Sequence, residues 1–399
     1  MGDKSFKKNL IGLAVVIAAA IVLFSYIEKK GGKLPEFLNG LARTSAEGSG
    51  IEGEKKGNAA LGSISLEAAN KSIFKTNGKG FFYCTKDGLR YYSETNNIAW
   101  NDTYTMISPV AVSENGYLAV TEIGGKSVRV YDKKGPLYTV QLENSLVQAS
   151  LNSGGYLSAI LKSKDGYIVQ AYNAAGGLLT ERIDPVTGIY PISADISDDG
   201  RTLAVSYMDT TDIEIMSRIV FLYINQAEGK NYVDSMYAAV EKPGKVVPVI
   251  KFMKGNSLAA ISDKSVFLMD ENGGELWEEE LLNEIDKAVF AGNDHIAVGL
   301  GDEFVNEEGM EKGTILWFGL KGKTSASFAA GDEITYLYGD SAGVVVGTGN
   351  RYAGVNNSGK ALWEYTADNA LEDVLFLDDA YTVLSISKST AEILDMRSR

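Results

Sequence analysis

The chain has 399 residues, with 38 Lys+Arg against 52 Asp+Glu, a formal net charge of −14, one Cys (Cys84) and one His (His295). One cysteine excludes an internal disulfide and any cysteine-based zinc centre, and one histidine excludes a multi-histidine metal site. The acidic balance opposes a phosphate backbone, so no nucleic-acid partner is expected.

In chain order, the first predicted element covers residues 10–27. From Leu10 to Ile27 the chain carries no charge, and at about 1.5 Å per residue it covers roughly 27 Å, near the thickness of a bilayer core. A cleaved signal peptide has a shorter apolar core followed by a small-x-small site. Here Ala18, Ala19 and Ala20 lie mid-run and the exit is Tyr26, Ile27, Glu28, Lys29, Lys30. The expectation is one uncleaved transmembrane helix, with residues 1–9 as a cytoplasmic tail and the remainder outside the cytoplasm, held at the cell membrane. Lys4, Lys7 and Lys8 before the span balance Lys29, Lys30 and Lys33 after it, so orientation rests on the position of the span rather than on charge. Residues 28–61, rich in Gly, Ser, Glu and Lys, read as a flexible linker with a reach of roughly 30 Å.

From residue 62 a unit of about forty residues recurs. Its register is set by the end of a third strand near Tyr92, Tyr131, Tyr172, Tyr223, Met269, Phe318, Val355 and Leu394. In most copies Asp or Asn opens the following turn and a glycine ends it, as at Gly135, Gly176, Gly273, Gly322 and Gly359, where a positive φ is needed. The first two strands repeat as well, over 110–120, 149–159 and 194–205. Four short strands per forty residues, with no helical period after the linker, predict an all-β fold, a β-propeller of eight four-stranded blades. Seven blades is the alternative, if the first repeat is incomplete. The last repeat supplies three strands, and residues 63–67 are expected to supply its fourth, so that a propeller over 62–399 is closed by an N-terminal strand and loses its open edge.

Several side chains within these repeats could carry chemistry. Trp100, Trp277 and Trp363 fall early in fourth strands, a position for packing between blades, and Trp317 lies in a third strand. His295 follows Asp294, which a strand directs to the opposite face, and no nucleophile accompanies it. The run from Asp270 to Glu275 lacks the ligand count of a calcium loop. The run from Ser197 to Thr202 is similar to a sialidase Asp-box, but Leu203 stands in place of its Trp. Gly347 to Asn350 lacks the strand–glycine–helix setting of a nucleotide loop. No catalytic residue, cofactor site or metal site is predicted. Two lengthened second-to-third-strand loops, expected on one propeller face, are the candidate partner-binding residues. One is 301–313, with Asp302, Glu303, Glu307, Glu308 and Glu311; the other is 208–214, with Asp209, Asp212 and Glu214. They suit a basic partner or a divalent ion, or are simply solvated. Tyr104, Tyr190 and Tyr352 fall in or near expected loops and suit stacking on sugars.

The stretch from Gly188 to Tyr207, with Val220 to Tyr223, Glu228 to Asp234 and Pro248 to Phe252, resembles an uncharacterised family of single-pass, membrane-anchored, extracytoplasmic propeller proteins of Gram-positive bacteria. That resemblance implies the architecture and supplies no activity. The Gly-Glu-Leu-Trp277 and Gly-Lys-Ala-Leu-Trp363 runs are similar, more distantly, to quinoprotein-like (PQQ-like) and WD40-like repeats. The expected function is a non-catalytic protein-binding or scaffolding module of the cell envelope, with an envelope protein or wall polymer as partner. A cell-wall glycan receptor is the first alternative and a quinoprotein-like dehydrogenase the second; the adjacent-cysteine ring of many such dehydrogenases is absent.

Overall fold

The computed structural model describes residues 59–66, 72–94, 96–185, 187–301, 312–322 and 324–397. Short runs of β-branched and aromatic residues alternate with turn residues and give strands throughout. Asn115 and Gly116, both at positive φ, form the two-residue turn joining Pro109–Glu114 to Tyr117–Glu122. The strands make eight four-stranded antiparallel sheets. Seven take four consecutive strands. The eighth combines the last three, Asp373–Leu377, Asp379–Ile386 and Thr390–Asp395, with the first of the chain, Ala59–Ser65, which pairs with Thr390–Asp395.

Blades 1 to 8 begin with Ile73–Asn77, Pro109–Glu114, Ser145–Leu151, Ile189–Ile196, Val249–Met253, Ile285–Ala291, Tyr336–Asp340 and Asp373–Leu377. These first strands adjoin one another around the axis. Second strands such as Gly80–Thr85, Ser257–Ile261 and His295–Leu300 are buried almost end to end, because neighbouring blades cover both of their faces. Eight apolar clusters fill the eight joints between blades. At the joint of blades 8 and 1, for example, Phe74 and Phe81 meet Leu375 and Leu384. At that of blades 6 and 7, fully buried Trp317 meets Val344 and Val355. No blade has a core of its own; the apolar area is removed from water only when neighbours stack.

Two faces follow from the antiparallel order. First-to-second turns of successive blades are linked through side chains: Asn77 Nδ2 to Gly116 O (3.1 Å), Asn115 Nδ2 to Ser153 O (3.0 Å) and Asn152 Nδ2 to Ser197 O (2.8 Å). This is the turn face, which also carries the third-to-fourth turns. The second-to-third loops and the connections between blades lie on the other side, the loop face. On the outside, every fourth strand carries a β-bulge near its start, as at Leu137, Leu276, Leu362 and, in the closing strand, Leu61.

The eight-bladed all-β propeller replaces the seven-bladed alternative. The fold class is corrected in its helical part: no helix among the described residues is long and apolar enough to cross a membrane. The span expected from Leu10 to Ile27 lies outside those residues.

Candidate functional site

The loop face has a concavity where blade 1 meets blade 2. The chain leaving blade 1 is pinned by Met106 N donating to Lys86 O (2.8 Å), and Glu122 Oε1 accepts from Ser108 N (2.8 Å). Tyr104, Met106, Glu122, Lys126 and Arg129 line a cavity of about 160 Å³. Arg129 Nη1 donates to Asp102 Oδ2 (3.2 Å), which also accepts from Tyr131 OH (2.8 Å), and the guanidinium lies 5.8 Å from the Tyr104 ring centre. Tyr104 is buried with no hydrogen-bond partner for its hydroxyl. Burial, then the nearby Cys84, Tyr131 and Asp102, push its pKa far up, so the phenol stays neutral. Asp102 also borders a second cavity of about 110 Å³ with Asp87 and Arg90. Both are below the roughly 300 Å³ of a small-molecule site and suit single side chains. Beside the larger one, Ile107 is 88 % and Ile123 52 % exposed. Ile213 and Leu282, in loops of the same face, are exposed too.

Near the axis, the inner strands hold a polar cluster. Lys251 Nζ of blade 5 meets Glu114 Oε2 of blade 2 at 2.5 Å and lies 5.2 Å from the Phe290 ring centre of blade 6. Next to Lys251, Asp195 is buried; it accepts from Phe252 N (2.7 Å) and Ser150 Oγ (2.9 Å), so one carboxylate joins blades 3, 4 and 5. Burial raises its pKa to about 7 against those hydrogen bonds and the charge of Lys251. On the far side of the axis, Thr76 of blade 1 bonds Tyr338 of blade 7 (3.2 Å).

The residues singled out in sequence are placed as follows. Asp209 is buried and accepts from Thr211 N (3.0 Å) and Thr211 Oγ1 (2.6 Å), with Arg218 3.8 Å away, and these hydroxyl and amide bonds lower its pKa. Asp212 and Glu214 are exposed, and Asp212 Oδ1 accepts from Ile213 N. Asp302, Glu303, Glu307, Glu308 and Glu311 lie outside the described residues. Tyr104 lies in the connection after Ile98–Thr103 and Tyr352 is second in the strand Arg351–Val355, in or near loops as expected; but Tyr104 is buried, and Tyr352 is 3 % exposed and bonds Leu371 N and Gly349 O, so neither offers a ring to a sugar. The fourth-strand aromatics are staples between blades. Trp100 Nε1 donates to Lys133 O (3.0 Å), Trp277 Nε1 to Leu320 O (3.2 Å) and Trp363 Nε1 to Ala380 O (2.7 Å), each reaching the next blade. His295 Nδ1 pairs with Asp294 Oδ1 at 2.7 Å, which corrects the opposite-face expectation: Asp294 lies in the turn before the strand His295–Leu300, not in it. Asp270 Oδ1 accepts from Asn272 N and Gly274 N, as a turn-former does. No group of three or more potential metal ligands occurs among the described residues.

Sequence reading missed Ile107, Ile123 and Asp195. Ile107 carried a signal, an isolated aliphatic between Met106 and Ser108-Pro109 in a connection. Asp195 carried none, since its burial is decided by partners from other blades.

No curated protein matches this sequence. Among solved structures, the chain is similar to BamB from Moraxella catarrhalis, at 12 % identity over 85 % of this chain and 99 % of that one, with a TM-score of 0.50. It is similar also to Sqt1 from Chaetomium thermophilum, at 9 % identity over 85 % and 99 %, with a TM-score of 0.55. These likenesses are of fold. Residues 55–396 match a family model, and the chain belongs to the family of unknown function DUF5711.

Proposed function

We propose that this propeller is a non-catalytic protein-binding module that docks its partner on the loop face, at the joint of blades 1 and 2. The observation that carries the reading is the pairing of exposed Ile107 and Ile123 with a small cavity walled by Tyr104, Met106 and Arg129. An aliphatic ridge beside a side-chain-sized hollow with Tyr, Met and Arg walls has the composition of an interface hot spot. Acidic Asp212 and Glu214 on the same face favour a partner with basic residues around an apolar anchor. The propeller fold, shared with BamB, supports a scaffold role in general. An extracytoplasmic, envelope-side site of action belongs to the same reading. It predicts that a C-terminal tag is cleaved by protease added to intact cells.

The test is photo-crosslinking in the native host from positions 107 and 123, with position 137 on the turn-face side as control. Adducts of defined mass from 107 and 123, absent from 137, are the expected result. Ile123→Asp should abolish the adducts formed from position 107, and Ile107→Asp those formed from position 123, while leaving the melting temperature within about 2 °C, since exposed substitutions cost little. Equal labelling from all three positions refutes the docking site.

A further inference from the structure

The turn face of blade 4 carries a feature that protein docking on the loop face does not use. The third-to-fourth connection of this blade is lengthened, with a helical turn at Gln226–Gly229 and a 3-10 turn at Val233–Ser235. Asp234 and Ser235 both take left-handed backbone conformations, with φ of 51° and 60°, an arrangement that costs non-glycine residues energy and is kept where surrounding contacts enforce it. Asp234 is held by Arg182 of blade 3, at 3.8 Å. The bend presents Tyr232, 44 % exposed, and Val233, 79 % exposed. Behind Tyr232 stand two more tyrosines. Tyr223 and Tyr237 are stacked at 4.3 Å between ring centres, and Tyr232 leans on them at 5.3 and 6.4 Å. Tyr237 is itself fixed, donating to Glu271 O of blade 5 (2.7 Å) and sharing a hydrogen bond with Thr202 Oγ1 (3.1 Å).

We infer that this tyrosine cluster is a carbohydrate-binding subsite, which takes one face of a neutral pyranose ring on Tyr232. Three properties select that ligand class. Tyr232 is a half-exposed aromatic whose orientation is locked by two rings behind it, so a stacked sugar orders no floppy side chain. Its surroundings are donors and acceptors: Arg201, paired with Glu228, and exposed Asn231 and Lys230. Sugar hydroxyls bond such fixed polar groups in pairs. Finally, the nearest charges cancel: Arg201 pairs with Glu228, Arg182 lies 2.9 Å from Asp184 and 3.8 Å from Asp234, and Lys230 makes the third cation against these three carboxylates, in a molecule of net charge −14. A phosphorylated or strongly anionic ligand finds no surplus positive charge there, and a polybasic peptide no acidic cluster. A neutral polyhydroxylated polymer needs neither. The site lies on the opposite face from the proposed protein docking surface, so the two are separable.

Affinity electrophoresis tests this, with the purified protein run through gels containing cellulose ether, glycol chitin or laminarin. Retardation by at least one polymer is expected, with a tenfold or greater rise in apparent Kd for Tyr232→Ala and a smaller rise for Arg201→Gln. Tyr232→Phe should keep binding, because the ring face rather than the hydroxyl carries it. Unchanged thermal unfolding of Tyr232→Ala shows that the blade is intact. Ile107→Asp should be retarded like the wild type, which separates this inference from the docking proposal. Absence of retardation in all three polymers, or retardation that survives Tyr232→Ala, overturns it, as does saturable binding of a proline-rich peptide at this site in place of the glycans.

Discussion

Trp363 is 6 % exposed, donates to Ala380 O of blade 8 and lies edge-on to Phe376 at 6.2 Å. Trp363→Ala should therefore cost about 3–5 kcal/mol in urea unfolding, whereas Trp363→Phe should cost about 1–2, for the lost hydrogen bond and trimmed ring. The partner of such a staple is a glycine. At Gly322 (φ 78°) an added Cβ would sit 2.8 Å from the Trp277 ring, while at Gly255 (φ 81°) it would meet nothing within 4 Å. Gly322→Ala should thus destabilise clearly more than Gly255→Ala, which bears the conformational cost of about 1 kcal/mol alone. The places of the tryptophans and of the turn glycines could be read from the repeat, because a spacing of about forty residues puts them in equivalent positions. Asp195 could not be read so. Its donors, Ser150 Oγ and Phe252 N, are 45 and 57 residues away, and nothing local marks it as buried. Asp195→Asn keeps an acceptor for Phe252 N and lets the Ser150 hydroxyl accept in turn, so the variant should fold and lose part of the pH dependence described below.

At the level of elements, the bulge that begins each fourth strand decides which residue faces the neighbouring blade. Leu276 is the extra residue between the Leu268–Trp277 and Met269–Glu275 pairs. Deleting Leu276 makes these two pairs consecutive and removes the local bend that aims Trp277 at the next blade. Stability should fall by about as much as in Trp277→Ala, roughly 3 kcal/mol or more, with loss of the Trp277–Phe318 stacking (6.1 Å) visible in near-ultraviolet circular dichroism. The strands themselves were legible as Val-, Ile- and Tyr-rich runs between turn signals. The bulges were not, since a residue count cannot say where a ladder slips. Of the candidate site, the lengthened loop at 208–214 was legible as an insertion. The hollow at blades 1 and 2 was not, because it is bounded by two connections and a strand that only the ring brings together.

For the whole molecule, buried carboxyl groups set the response to pH. Asp195, raised to about 7, and Asp340, raised by burial to about 6, hold protons more tightly folded than unfolded. Their contribution is full below the usual aspartate range and is lost as pH rises through those values. Glu278 is opposite. Burial would raise it, but Lys242 and Lys245, at 2.8 and 2.5 Å, hold it down at about 2. Its contribution is present above the usual glutamate value and lost as pH falls toward 2. The stability curve should therefore peak in mildly acidic solution, near pH 4–5, and decline toward pH 8; chemical unfolding at a series of pH values measures this, and Asp195→Asn should flatten the neutral side. A maximum above pH 7 contradicts this assignment of the buried groups. The ring itself was foreseeable from eight repeats and an incomplete last one.

The strand Ala59–Ser65 completes the blade that ends at Asp395, and this has a consequence for biosynthesis. That strand leaves the ribosome about three hundred residues before the other three of its sheet, Asp373–Leu377, Asp379–Ile386 and Thr390–Asp395. Until then, blade 1 waits with an uncovered greasy flank, and the nascent ring is an arc with two adhesive ends, open to wrong partners. The newborn chain must be shielded for more than three hundred residues of elongation. A circular permutant of the propeller that links Ala59 to Arg397 and opens a turn elsewhere should have the same final stability yet show a different appetite for chaperones during synthesis.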